Sequence, residues 1–157
     1  MKHKSNENNK HLLSAATVLV EKLSDPAEFI YFLVKSMDAV KELESKYPDL
    51  KKHDSASSIT MLIKELLPAF TGDSEKRMDV TEGLKSFMDD FGYECLQQAL
   101  GSIMMAFGHA NIEEGHGGPE YQAKELSSIN VLFEMARHMY YYEQEENERI
   151  EKQKQAA

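Results

Sequence analysis

The sequence predicts an all-α fold, a single-domain bundle of about six helices closed by a long C-terminal helix. Apolar residues recur at helical spacing in one segment after another, with glycine and proline only at short gaps, and no strand-like alternation competes. The stretch 119–155 has neither glycine nor proline after its first residue, so it reads as one uninterrupted helix. With 157 residues the chain can bury roughly 70% of its unfolded surface, enough for one core that needs no metal or disulfide.

Residues 1–10 (MKHKSNENNK) lack apolar periodicity and read as a flexible tail, leaving 11–142 as the helical domain and 143–157 as a charged extension of its last helix. The first helix spans 11–23, with Leu12, Ala16, Leu19 and Leu23 on one face. Asp25-Pro26-Ala27-Glu28 supplies a cap, a first-turn proline and a box-closing carboxylate, which starts the second helix. Its stripe is Phe29, Ile30, Leu33, Met37 and Val40, and Tyr47-Pro48-Asp49 ends it.

The third helix has the cleanest period, with Ile59, Leu62, Ile63, Leu66, Leu67 and Phe70 in register. Ser55, Ser57 or Ser58 is expected to cap it, and Pro68 to kink or close its last turn. A fourth helix over 79–91 aligns Val80, Leu84, Phe87, Met88 and Phe91, is weakened by Gly83 and ends at Gly92. A fifth over 93–107 groups Leu96, Leu100, Ile103 and Phe107, with Gly101 placed for close approach of a neighbour. The glycine-rich segment 108–119 is the one long break, and Gly118-Pro119 opens the sixth helix. The expected core comprises Leu19, Leu33, Ile63, Leu66, Leu84, Phe87, Leu100, Ile103, Leu132 and Ala136.

Charge is unevenly spread. Of the net −9, residues 86–148 carry −10, with twelve acidic against two basic side chains, while the remainder nets +1. Such a half repels phosphate backbones and suits a basic protein surface, although acidic faces also serve solubility. The lysines around the second helix, Lys35, Lys41, Lys46, Lys51 and Lys52, alternate with Glu42, Glu44 and Asp49, a mixed solvated face rather than a phosphate track. The lone Cys95 excludes an internal disulfide and reads as a small core residue in a reducing compartment. Lys2, Lys4 and Lys10 precede the apolar run 12–20, but Glu21 and Lys22 follow at once, so a cytoplasmic protein without a signal peptide or membrane span is expected.

Candidate chemistry is sparse. His109, Glu113, Glu114 and His116 in the glycine-rich segment, with Glu134 and His138 one turn apart on the last helix, are the strongest candidate metal ligands, and Glu113-x-x-His116 has the spacing of a di-iron helical unit. A full site needs two such units on facing helices plus further glutamates, so neither metal nor cofactor is expected. Phosphate-cradling loops, paired zinc cysteines, nucleophile elbows and twin acidic motifs on consecutive helices are all missing.

The last helix offers more. Across 129–142 only Asn130, Glu134, Arg137 and His138 are polar, so the helix must be covered on several sides, by its own chain or by a partner. Met104 and Met105 would meet Met135 and Met139 if the last two helices pair, and Tyr140, Tyr141 and Tyr142 diverge by about 100° each, so they cannot share one core face. Met135, Met139, Tyr140, Tyr141 and Tyr142 are therefore the candidate self-association surface, with a twofold dimer as the simplest closure and a central, fully wrapped helix as its rival. The function these observations imply is a non-enzymatic acidic interaction module, a regulator or inhibitor that binds a basic or nucleic-acid-binding surface of a protein partner. A metal-dependent helical-bundle enzyme and a structural assembly subunit are the alternatives.

Overall fold

The computed structural model describes residues 10–22, 25–53, 55–71, 79–113 and 119–157. It is a single all-α domain whose described residues form five α-helices: α1 (Lys10–Lys22), α2 (Pro26–Lys46), α3 (Ser55–Thr71), α4 (Asp79–Glu113) and α5 (Pro119–Ala156). A 3-10 helix, Pro48–His53, links α2 to α3. The tail expected over 1–10 lies outside the described residues except for Lys10, which opens α1.

Asp25 starts α2 as its residue type and the following proline require. Its carboxylate accepts from the Ala27 and Glu28 amides at 2.9 and 3.3 Å, satisfying two N–H groups that the helix leaves without partners. Tyr47 closes the helix by donating to the Leu43 carbonyl at 2.8 Å. α3 carries most of the expected stripe, with Ile59, Leu62 and Leu66 buried and Ile63 partly so, whereas Leu67 turns outward and is 40% exposed, and the side chain of Phe70 lies outside the described residues. Full burial of a leucine such as Leu66 contributes about 1.5–3 kcal/mol. Ser55 does not cap α3. It lies buried against α4, its hydroxyl donating to the Gln98 carbonyl at 3.5 Å and accepting from Ser102 at 2.8 Å, because the close α3–α4 packing encloses it. Pro68 stands in the last turn of α3, which ends at Thr71.

Six helices become five because the predicted fourth and fifth are one element. Gly92 adopts φ 78° and ψ 171°, a bend only glycine tolerates readily, and helical structure resumes at once on its far side. The freed Tyr93 amide is not left bare, since Glu143 on α5 accepts from it at 3.1 Å, a cap supplied from another helix. The predicted break at 108–119 also shortens, with 108–113 continuing α4 and only 114–118 outside the described residues.

α5 organises the bundle. α1 runs antiparallel along it, tied by Lys10 to Glu145 at 3.7 Å and Lys22 to Glu134 at 2.6 Å. α4 packs along another side with Tyr93 against Tyr140, and Lys124 reaches Glu28 at the start of α2 at 3.2 Å. Of the expected core, Leu19, Leu33, Leu66, Leu84, Phe87, Leu100, Ile103, Leu132 and Ala136 are buried in one apolar cluster. α5 passes Tyr142 and Glu143 without a break, and from Asn147 onward every residue is exposed.

Candidate functional site on the α4–α5 face

The candidate self-association residues separate. Met135 and Met139 are fully buried and Tyr142 is 5% exposed, so these three belong to the chain's own core and not to an outer surface of the folded protein. The reason is geometric: α1 and α4 enclose the stripe through Leu132, Met135, Ala136 and Met139, although α5 is not wrapped on every side. Tyr140 and Tyr141 remain exposed, and so do Phe133 and Leu126, which sequence periodicity did not single out.

Phe133 and Tyr140 lie on the α5 wall of an open groove of about 430 Å³. Tyr93, Gln97, Leu100 and Gly101 come from α4, and Phe133, Ala136, Arg137 and Tyr140 from α5. Tyr93 and Tyr140 meet edge to face with ring centroids 5.2 Å apart, and Tyr140 meets Tyr141 likewise at 5.7 Å. Leu100 and Ala136 are buried, which makes the floor firm. A Cβ at Gly101 would meet nothing within 4 Å, so the expected close approach of a neighbour at this glycine does not occur among the described residues. One turn further along α4, Met104 and Met105 are both exposed.

The groove runs into an acidic region at the Gly92 bend. Asp89, Asp90 and Glu94 are exposed on α4 and Glu143 and Glu146 approach from α5, while Glu145 and Glu148 lie on the α1 side of α5 with Lys10, Arg149 and Lys152. Burial raises the Tyr142 phenol, and Glu146 and Asp89 raise it further, placing carboxylates of both helices around one ring. Burial likewise raises Tyr93, with Tyr140 and Glu143 adding to the effect, so both phenols stay neutral and able to donate. Three of the carboxylates are engaged: Glu143 with the Tyr93 amide, Glu145 with His11 at 2.9 Å, and Glu146 with Arg149 at 2.8 Å. Asp89, Asp90, Glu94 and Glu148 have no hydrogen-bond or ion-pair partner among the described residues.

The metal candidates do not assemble among the described residues. His116 and the side chains of His109 and Glu113 lie outside them. Glu134 holds the Lys22 ammonium with both oxygens at 2.6 and 2.7 Å, which lowers its carboxyl pKa and commits it to the α1–α5 seam. His138 sits in the same seam, where burial first and neighbouring Arg137 second lower its imidazole pKa, against the raising influence of Glu134. No group of three or more His, Cys, Asp or Glu side chains among the described residues is placed to hold a metal ion. Cys95 is a partly buried free thiol. Lys46 pairs with Glu42 and Lys35 lies over the Tyr31 ring, so this part of α2 mixes charges and aromatics as its sequence implies. No helix among the described residues is long and apolar enough to cross a membrane.

The groove was not singled out from sequence. Its signals were an unexplained helical glycine, two adjacent methionines and a phenylalanine interrupting the polar stripe of α5, each ordinary alone and joined only when α4 and α5 pack antiparallel. Compared with known proteins, the chain matches no family model, no characterised sequence and no solved structure.

Proposed function

We propose that this chain is a non-enzymatic protein-interaction module whose acidic α4–α5 face engages a basic surface of a protein partner, regulating or inhibiting that partner by covering it. The observation that carries the reading is the set of exposed carboxylates Asp89, Asp90 and Glu94 at the bend of α4, which have no ion-pair partner among the described residues. Like charges held together on a folded surface repel one another, and a cationic partner relieves that repulsion while its approach is steered by the field. A reducing, cytoplasmic setting suits the single free thiol.

The test is fluorescence anisotropy with a labelled lysine-rich peptide that has no apolar face, measured across a salt series. Affinity is expected to fall steeply with salt. It should also drop about tenfold in a triple variant Asp89→Asn, Asp90→Asn, Glu94→Gln but hold in the charge-matched control Glu21→Gln, Asp38→Asn, Asp49→Asn. Equal losses in the two variants would reduce the effect to net charge and end the assignment of this face.

A further inference from the structure

We infer that the α4–α5 groove is the seat for one amphipathic helix of the basic partner, with the apolar side of that helix against Tyr93, Phe133 and Tyr140 and its lysines or arginines directed to Asp90 and Glu94. The inference rests on the acidic face being the binding surface, and it adds the element and the chemistry that the surface selects.

The walls decide the kind of element. Both are α-helices whose backbone groups are hydrogen-bonded within themselves, so they offer no edge to which an extended strand can add. A second helix packs instead by setting side chains into the furrow between two helices. The groove provides what that needs: Tyr93 and Leu100 on the α4 wall face Phe133 and Tyr140 on the α5 wall, the last two 46% and 41% exposed, and Met104 and Met105 are exposed one turn beyond Gly101. Gly101 lines the same groove, and a Cβ there would meet nothing within 4 Å among the described residues. Glycine weakens an exposed helix relative to alanine, and internal packing gives no return for it here, whereas close approach of an outside helix does. From Tyr93 to Gly101 the α4 wall spans about 12 Å, two turns of a docked helix and room for anchors at i, i+4 and i+7. Methionine on the rim adapts to the shape of what arrives.

Charge decides the occupant. A second copy of this chain would bring another net −9 to the same acidic end, which repels, while a basic helix meets Asp90 and Glu94 where neither has an internal partner among the described residues. Arg137 is the one cation lining the groove, and Glu134, one turn earlier on α5, already opposes it. It therefore sets orientation, favouring a neutral or acidic residue of the partner at its level.

Three labelled peptides of about 18 residues, long enough to sample helix, test this by anisotropy at moderate salt. The first places leucines at i, i+3, i+4 and i+7 among lysines; the second scrambles that composition so that no apolar face forms; the third keeps the leucine pattern and replaces lysine by glutamate. The first is expected to bind about tenfold more tightly than the second, and the third not to bind. Gly101→Leu fills the groove from an open helical position, so it should raise the melting temperature and still weaken the first peptide about tenfold, leaving the second unchanged. Phe133→Ala should weaken the first severalfold, and it carries the test if Gly101→Leu loses its helical circular dichroism. Equal binding of the first two peptides, insensitive to both variants, would overturn the groove while leaving the acidic face intact. Failure of both basic peptides to bind would remove the groove and the acidic face together. Preference for the glutamate peptide would reverse the charge assignment, and a micromolar dimer dissociated by Gly101→Leu in sedimentation would make the occupant a second copy; either result overturns the inference.

Discussion

Gly83 and Gly101 stand in the same helix and look alike in sequence, yet the structure gives them opposite roles. A methyl group on Gly83 would come within 2.7 Å of the Glu65 backbone oxygen on α3, and a backbone atom cannot step aside as a flexible side chain does. Gly101 faces open space. Alanine is favoured over glycine in a helix by about 1 kcal/mol, so Gly101→Ala should stabilise by up to that amount. At Gly83 the same gain is outweighed by overpacking that costs about 1–3 kcal/mol, and Gly83→Ala should destabilise. Urea unfolding of the two variants checks this, and shifts of the same sign would show that α3 and α4 do not approach as described. Reading the sequence found that glycine weakens a helix at 83 and interrupts one at 92, because propensity and punctuation are local. It did not find why 83 must be small, or that Glu143 caps the Tyr93 amide across the bundle, because both depend on which helices become neighbours. Leu66 shows the complementary case, since its place in an unbroken period was enough to bury it.

Among the elements, α5 was the most legible in extent and the least legible in surroundings. Its composition required cover on several sides but did not distinguish internal neighbours from external ones, and the distinction assigned Met135 and Met139 to the core and left Phe133 exposed. The α1–α5 seam carries titratable groups that make its stability depend on pH. The His138 pKa lies below its ordinary 6.5 in the folded protein, so the unfolded chain takes up that proton first as pH falls. Stability is therefore fully present above 6.5 and declines as pH drops from there through the folded value. Glu134, held below its ordinary 4.5 by Lys22, adds a second and later loss: the stabilisation present above 4.5 disappears as pH falls through its folded value. A melting-temperature profile from neutral to acid pH should thus fall in two stages. His138→Gln should flatten the first stage and Lys22→Gln the second. A His138→Gln profile that tracks the wild type below neutrality would detach the early loss from this seam.

For the molecule as a whole, the acidic face sets stability against binding. Asp89, Asp90 and Glu94 crowd like charge at the bend of α4, opposite Glu143 and Glu146, and the chain offers the three no internal ion pair among its described residues. Repulsion of this kind opposes the compact state and is screened within about 10 Å at ordinary ionic strength. The triple variant Asp89→Asn, Asp90→Asn, Glu94→Gln should therefore be more stable than the wild type at low salt, by a few tenths of a kcal/mol per charge removed. For a domain of this size that gain amounts to a rise of about 1–3 °C in melting temperature. At high salt the wild type no longer bears the repulsion, so the two proteins should melt together. The charge-matched control Glu21→Gln, Asp38→Asn, Asp49→Asn draws its substitutions from outside the acidic half and should show a smaller shift. A protein that gains stability on losing these carboxylates retains them for something other than its fold, and the same variant's loss of affinity for a lysine-rich peptide supplies the other half of that trade. Were the triple variant less stable than the wild type at low salt, the three side chains would instead be structural, and the acidic face would lose its claim to be a surface kept for a partner.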